Sequence, residues 1–411
     1  RRLIAQSGFN PRRYFNEIRW SPIRKQYPYD SGVFMWLDCI LPGFPPELAV
    51  SLREGMTDMF ELPDWLKTKI GLYNLYIKME GQNPSGSFKD RGMPVAISYA
   101  RFQQSYYPEL GIVGVACAST GDTSASAAQY AAYCRDKLIS VVFLPFEKIS
   151  PGQLLQAMMY GAKVIAIKHK QGFDGCMNLV REFCEKFPRF VLVNSANAYR
   201  IIGQESIALE ICQDFNWNAP DWISIPCGNG GNLTALLLSL KRQKEIGLID
   251  KLPGVIVAQT QGANTLVRWA RSGCKVYKPG SFKDTIASAM NIQDPVSFPR
   301  IKKLIKEFKV LFYDVSEEEI NRTRAMFTLS GADICPQGAV ALSAIIQARE
   351  DNKIKSDSRI VSISTASGLK FTESAVDYHK PVGGKGKDIY SNPYTVVSSG
   401  TIKEIAHLLD L

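Results

Sequence analysis

The stretch Asn74–Gly92 reads NLYIKMEGQNPSGSFKDRG. Its first six residues, 74–79, are mostly apolar, as in a strand buried between layers. The remainder, GQNPSGSFKDRG (Gly81–Gly92), is a loop of small and polar residues around a single lysine, Lys89. So little bulk lets a bound group approach the main chain closely. A lysine in so tight a setting is partly desolvated, which lowers its pKa and turns its amine into a base or nucleophile. Such an amine forms a Schiff base with an aldehyde. A merely structural lysine explains the same residues taken alone.

The strand-then-loop unit repeats. Short runs rich in Val and Ile occur at 74–79, 112–117, 140–145, 163–168, 190–195, 222–227, 254–259, 310–315 and 359–364. All read as apolar on both faces. Between them lie spacers of helical length and character at 124–136, 153–161, 175–186, 207–215, 232–246 and 338–350, and a helix is expected to start near Gly92. Alternating β and α units predict an open, doubly wound α/β architecture. Ligands in such folds bind at the carboxyl ends of strands. Residues 1–65, rich in Pro, Arg and aromatics, read as an irregular extension wrapped on the body. GGKGK (383–387) reads as a surface loop, and the tail 398–411 holds one short helix.

At 411 residues the chain is past the size at which one core divides. No apolar run reaches the ~20 residues of a membrane helix, so no membrane partner is expected. The net charge of +10 is scattered, with no basic tract or aromatic-interleaved stripe, which argues against nucleic acid. A small phosphorylated substrate suits that charge equally well. Nine cysteines without a CxxC read as reduced thiols, and three dispersed histidines offer no metal site. The chain opens on Arg1 and not Met, and no apolar signal core is present. The compartment expected is cytoplasmic, with a plastid left open.

Three more small-residue clusters fall at strand ends. CASTGDTSAS (Cys117–Ser126) opens a helix with Ser119, Thr120 and Thr123 as hydroxyls, a ready seat for a carboxylate or phosphate. PCGNGGNLTA (Pro226–Ala235) offers convergent backbone N–H groups, which suit phosphate oxygens. It is not a GxGxxG dinucleotide fingerprint. SISTASGLK (Ser362–Lys370) places Thr365 at a strand's end, where its hydroxyl can bond a heterocycle. Each alone is also an ordinary helix cap or turn. Together, a desolvated lysine, a phosphate cup and a carboxylate seat are what pyridoxal phosphate and an amino acid require.

GQNPSGSFKDRGM resembles the lysine motif of threonine synthases, pyridoxal-phosphate enzymes of fold type II. CASTGDTSASAAQYAA, FDGCMNLVRE, NSANAYRIIGQ, GNGGN, ASAMNIQDPVS and STASGLKF resemble further blocks of that family in the same order, from about residue 70 to 380, closest to the plant-type branch. The resemblance implies two open-sheet domains with the cofactor in the crevice between them. Residues 66–105 and 206–390 would form the large domain, 106–205 a small mobile one, 1–65 an extension and 391–411 a tail. It implies pyridoxal 5′-phosphate on Lys89, its phosphate held by Gly228, Asn229, Gly230, Gly231 and Asn232, its ring nitrogen by Thr365, and its 3′-oxygen faced by Asp122. The substrate carboxylate falls to Ser119, Thr120 and Thr123, and the substrate phosphate to Asn194, Ser195 and Arg200. The family turns O-phosphohomoserine and water into threonine and phosphate, and a homodimer is implied.

Three residues depart from the family pattern: Glu205 replaces a lysine, and Ser367 and Gln337 replace histidines. Three readings therefore stand side by side: a threonine-forming lyase, a related enzyme eliminating or replacing groups on another phosphorylated amino acid, and a cofactor-binding paralogue without turnover.

Overall fold

The computed structural model describes residues 10–119, 121–146, 151–170, 172–280, 283–382, 386–397 and 401–408. Thr120 and residues 383–385 of the expected surface loop lie outside that set.

Among the described residues ten strands appear: β1 (Met59–Glu61), β2 (Leu75–Met79), β3 (Gly114–Ala118), β4 (Ile139–Pro145), β5 (Lys163–Ile167), β6 (Phe190–Leu192), β7 (Trp222–Pro226), β8 (Gly254–Thr260), β9 (Val310–Val315) and β10 (Ile360–Ser364). They form two sheets, one of six strands ordered β1-β2-β10-β7-β8-β9 and one of four ordered β5-β4-β3-β6. Every pairing is parallel except β1 with β2. This is a mixed α/β protein with helices crossing between parallel strands, as the alternation of apolar runs and spacers dictates. β7, β8 and β10 are buried along their whole length, between helices such as Pro336–Glu350 that cover them.

Three expectations need correcting. β5 is not apolar-buried on both faces: it is the edge of the smaller sheet, and its residues are exposed or half-buried. The region before residue 65 is less irregular than its prolines suggest. It contains the helix Pro11–Trp20 and the antiparallel strand β1, and it packs Phe15 and Trp36 on Trp217 with ring centroids 5.5–6.3 Å apart. Finally, the first long helix starts not near Gly92 but at Lys89 itself, running to Tyr106.

The register places the site. In the β10–β2 pair Ser364 lies opposite Met79, so both strands end at the same level. The lysine loop leaves β2 and the Thr365 segment leaves β10 side by side.

Candidate active site

The two segments leaving β2 and β10 are zipped together. Ser87 bridges to Ala366, the Phe88 N–H donates to the Thr365 carbonyl at 2.9 Å, and the Ser367 N–H donates to the Gly86 carbonyl at 2.9 Å. Within the loop, the Asp90 carboxylate accepts from the Ser85 N–H at 2.5 Å and the Ser85 hydroxyl at 2.6 Å. Closing six residues in this way draws the chain into helical geometry early, which is why the helix begins at Lys89. The Lys89 ammonium stands 4.2 Å from the centre of the Phe88 ring. As a residue Lys89 is only half-buried, yet desolvation is the largest influence on its amine. Burial first, then the Arg200 charge, with a smaller push from Lys370, outweighs the pull of Asp122 and lowers its pKa from 10.5 to about 7.

The glycine turn lies between β7 and the helix Gly231–Ile246. Gly230 has φ +78°, and a Cβ there would come within 2.4 Å of Ile301 Cδ1. A Cβ on Gly228 would come within 2.8 Å of the Ala289 carbonyl. Only glycine fits either place. Asn229 braces the turn: its carbonyl accepts from the Ser297 N–H at 3.1 Å. Gly231, buried at the helix start, leaves room for a Cβ, which would sit in ordinary contact 3.9 Å from the Gln204 carboxamide and the Ser195 side chain. The first N–H groups of any helix lack internal partners. Beside them the buried Asn232 carboxamide nitrogen and the Gln204 carboxamide oxygen also lack partners among the described residues.

The helix Asp122–Tyr133 follows β3. Ser119 and Thr123 are buried at its start, and the Ser119 hydroxyl accepts from the Gly121 N–H at 3.1 Å. Asn194, which the resemblance assigns to the substrate phosphate, is engaged with the main chain. Its carboxamide brackets the main chain of Ala118, accepting from the N–H at 3.0 Å and donating to the carbonyl at 2.7 Å. It ties the end of β3 to the segment after β6.

Arg200 sits on the helix Ala198–Gln204, which packs against the lysine helix. Contact between the two is close: a Cβ on Gly203 would be 2.1 Å from the Arg91 carbonyl, and one on Gly92 would be 2.4 Å from the Arg200 carbonyl. The guanidinium is buried. Nη1 donates to the Val193 carbonyl at 3.0 Å, while Nε and Nη2 find no acceptor among the described residues. Burial lowers its pKa to about 10, with Cys117 and Asp90 opposing, so it stays charged at neutral pH.

Comparison with known proteins is decisive. The family profile described as pyridoxal-phosphate dependent enzyme matches residues 50–366. Threonine synthase 2, chloroplastic, of Arabidopsis thaliana is 40% identical over 359 residues, 87% of this chain and 68% of the relative. Threonine synthase of Methanocaldococcus jannaschii is 38% identical over 346 residues, 84% of this chain and 82% of that one. The chain belongs to the threonine synthase family of pyridoxal-phosphate dependent enzymes. The Escherichia coli threonine synthase structure has the same fold, with a TM-score of 0.69 at 21% identity over 98% of this chain and 86% of that one. The residues present fit the cofactor: a helix start with orphan N–H groups and an unpartnered Asn232 amide for a phosphate, and a depressed amine for an aldehyde.

Read as a member of the threonine synthase family, the chain explains two of its departures locally. Glu205 pairs with Arg242, at 2.8 and 3.0 Å, on the flank of the helix Gly231–Ile246 and eleven residues beyond its start. That is ~16 Å along a helix from the glycine turn. The Ser367 hydroxyl accepts from the Leu369 N–H and caps the turn Gly368–Phe371. Gln337 is buried with both carboxamide atoms unpartnered among the described residues, and nothing in the structure explains it.

Three functional supports escaped the sequence reading. Arg91, next but one after the lysine, is fully buried and pairs with Glu80 and Glu210, and Lys78 joins Glu210 at 3.0 Å. Lys370 reaches Asp122 at 2.8 Å. Arg324 donates to the carbonyls of Ile334, Gly368 and Phe371 and to Ser374. Their sequence signal is weak, since a cation in a helix or turn normally reads as a solvated face. Only the proximity of KDR and GLK to the site motifs hinted at more.

Proposed function

We propose that this chain converts O-phosphohomoserine and water into threonine and inorganic phosphate, with pyridoxal phosphate carried on Lys89. The single observation that carries this reading is Arg200. The glycine turn with Asn232 already supplies one anion seat, sufficient for the cofactor phosphate. A buried guanidinium with two free donors, close enough to depress the Lys89 amine, supplies a second. Two phosphate seats imply a phosphorylated substrate.

Bound pyridoxal phosphate supplies an aldehyde for the amine and a ring that withdraws electrons from the substrate's Cα. The chain's residues do the rest. With a pKa of about 7, Lys89 is partly free base at neutral pH and takes and returns protons at the substrate's Cα and Cβ. Gly228, Asn229, Gly230, Gly231 and Asn232 hold the cofactor phosphate. Thr365, buried at the end of β10 with its hydroxyl 3.8 Å from the Cys335 sulfur, offers the ring nitrogen a neutral partner. Ser119, Thr123 and, by family likeness, Thr120 receive the substrate carboxylate at the helix start. Arg200 and Ser195 receive its phosphate, and Asn194 keeps the two turns in register.

The smaller sheet lies wholly within residues 106–205, which supports their moving as one domain over the site to exclude water. A homodimer is proposed on family likeness. The nine cysteines are free, which suits a reducing compartment, cytoplasm or plastid. Among the described residues no helix is long and apolar enough to cross a membrane.

The test is incubation of the purified protein with O-phosphohomoserine, reading phosphate and threonine together. Equal release of both is expected. Phosphate without threonine would replace this reading with a different elimination. A change in cofactor absorbance with neither product would leave a binding protein.

A further inference from the structure

We propose that Lys370 is a positioning residue of this site, tying the lysine loop to the helix start at Asp122 and forming with Asp122 a charge-neutral unit beside Lys89. Its ammonium lies 2.8 Å from the Ser85 carbonyl and 2.8 Å from the Asp122 carboxylate. Both side chains are about nine-tenths buried, with exposures of 10% and 7%. The three segments that meet there come from three places in the chain: the lysine loop, the turn after β3, and the turn after β10.

Each end is anchored independently. Ser85 is clasped by Asp90 and also accepts from Gln156 at 3.1 Å. The turn Gly368–Phe371 that carries Lys370 is held by Arg324, and by Asp333 accepting from the Gly368 N–H at 2.7 Å. A lysine fixed this firmly at its base spans a defined gap instead of searching for a partner. Removal of its ammonium would leave Asp122 as a buried carboxylate without its cation, an expensive arrangement. It would also leave Asp122 acting on Lys89 unopposed.

The charges that bear on Lys89 come from each surrounding element: Arg200 from the packed helix, Asp122 from the helix start, and Lys370 from the turn after β10. Asp90 lies next to Lys89 on its own helix, and Cys335 stands behind Thr365. Asp122 and Lys370 act on the lysine in opposite senses, so each masks the other. This rests on Lys89 carrying the cofactor.

The experiment is a pH titration of the visible absorbance of the cofactor-loaded protein, which reports protonation of the nitrogen bonded to Lys89. Lys370→Met should raise that pKa by about one pH unit, and Asp122→Asn should lower it by a similar amount. The double variant should return close to the parent, and Lys370→Arg should stay there. Shifts in the same direction, or none, would overturn the proposal, because loosened packing alone gives no opposite signs. Should K370M alone fail to fold, D122N against the double variant carries the same comparison. Absence of a cofactor band that borohydride removes from the parent protein would instead sink the reading of Lys89.

Discussion

Glu205 and Arg242 form an ion pair at 2.8 Å, Glu205 almost wholly buried and Arg242 half exposed. Burial lifts the carboxyl to about 7 against the pull of the guanidinium. The pair lies on the flank of the helix whose start is the proposed anion seat, and its carboxylate is spent there.

Glu205→Lys therefore restores no phosphate ligand. The KM for O-phosphohomoserine should change by less than about twofold. Two cations would instead face each other across a buried position, costing about 1–3 kcal/mol of stability. Steady-state kinetics and a thermal melt measure both, and a lower KM at unchanged stability would contradict the geometry.

Arg200→Met tests the second anion seat. A buried guanidinium with two unpaired donors contributes little to folding, so the cofactor-free chain should be as stable as the parent or more so. The kcat/KM for the phosphorylated substrate should fall by about a hundredfold or more, with the cofactor spectrum intact. Lost stability with an unchanged KM would make Arg200 a packing residue.

Glu210 governs the acid side. Burial opposes its charge, but Arg91 and Lys78 prevail and hold its carboxyl down from 4.5 to about 2. A depressed folded-state pKa means that the unfolded chain binds the proton first as pH falls. The stabilisation is thus complete above about 4.5 and is lost as pH drops toward 2. Glu210→Gln should cost about 3–5 kcal/mol near neutral pH, since the buried cations Arg91 and Lys78 lose the carboxylate they share and keep only Glu80 and Asp214. It should also flatten that acid limb, and a denaturant titration at several pH values reads both effects.

Much of this fold was legible because period and composition are local properties. Nine strands and their helical spacers appear within a few residues of where the Val and Ile clusters put them, although β5 is an exposed edge and β6 and most of β9 are only half-buried. β1 was missed because MFE (59–61) has no Val or Ile cluster to mark it. β5 misled because an edge strand and a central one can share a composition, and only neighbours decide which is exposed. The candidate site motifs stood out as a set and not singly, since each glycine or hydroxyl cluster at a strand end is also an ordinary cap or turn. What the sequence hid was pairing across distance. Lys370 with Asp122, Arg324 with the 368–371 turn, and Asn194 with Ala118 join segments 44 to 248 residues apart, and no local pattern encodes them.

The central claim is that one amine, Lys89, carries the cofactor in a crevice at the ends of β2, β7 and β10. Borohydride reduction of the cofactor-loaded protein, followed by peptide mapping, tests it directly. The account predicts a stable adduct on the peptide containing Lys89 and its loss in Lys89→Ala; an adduct on another lysine, or none, would contradict it.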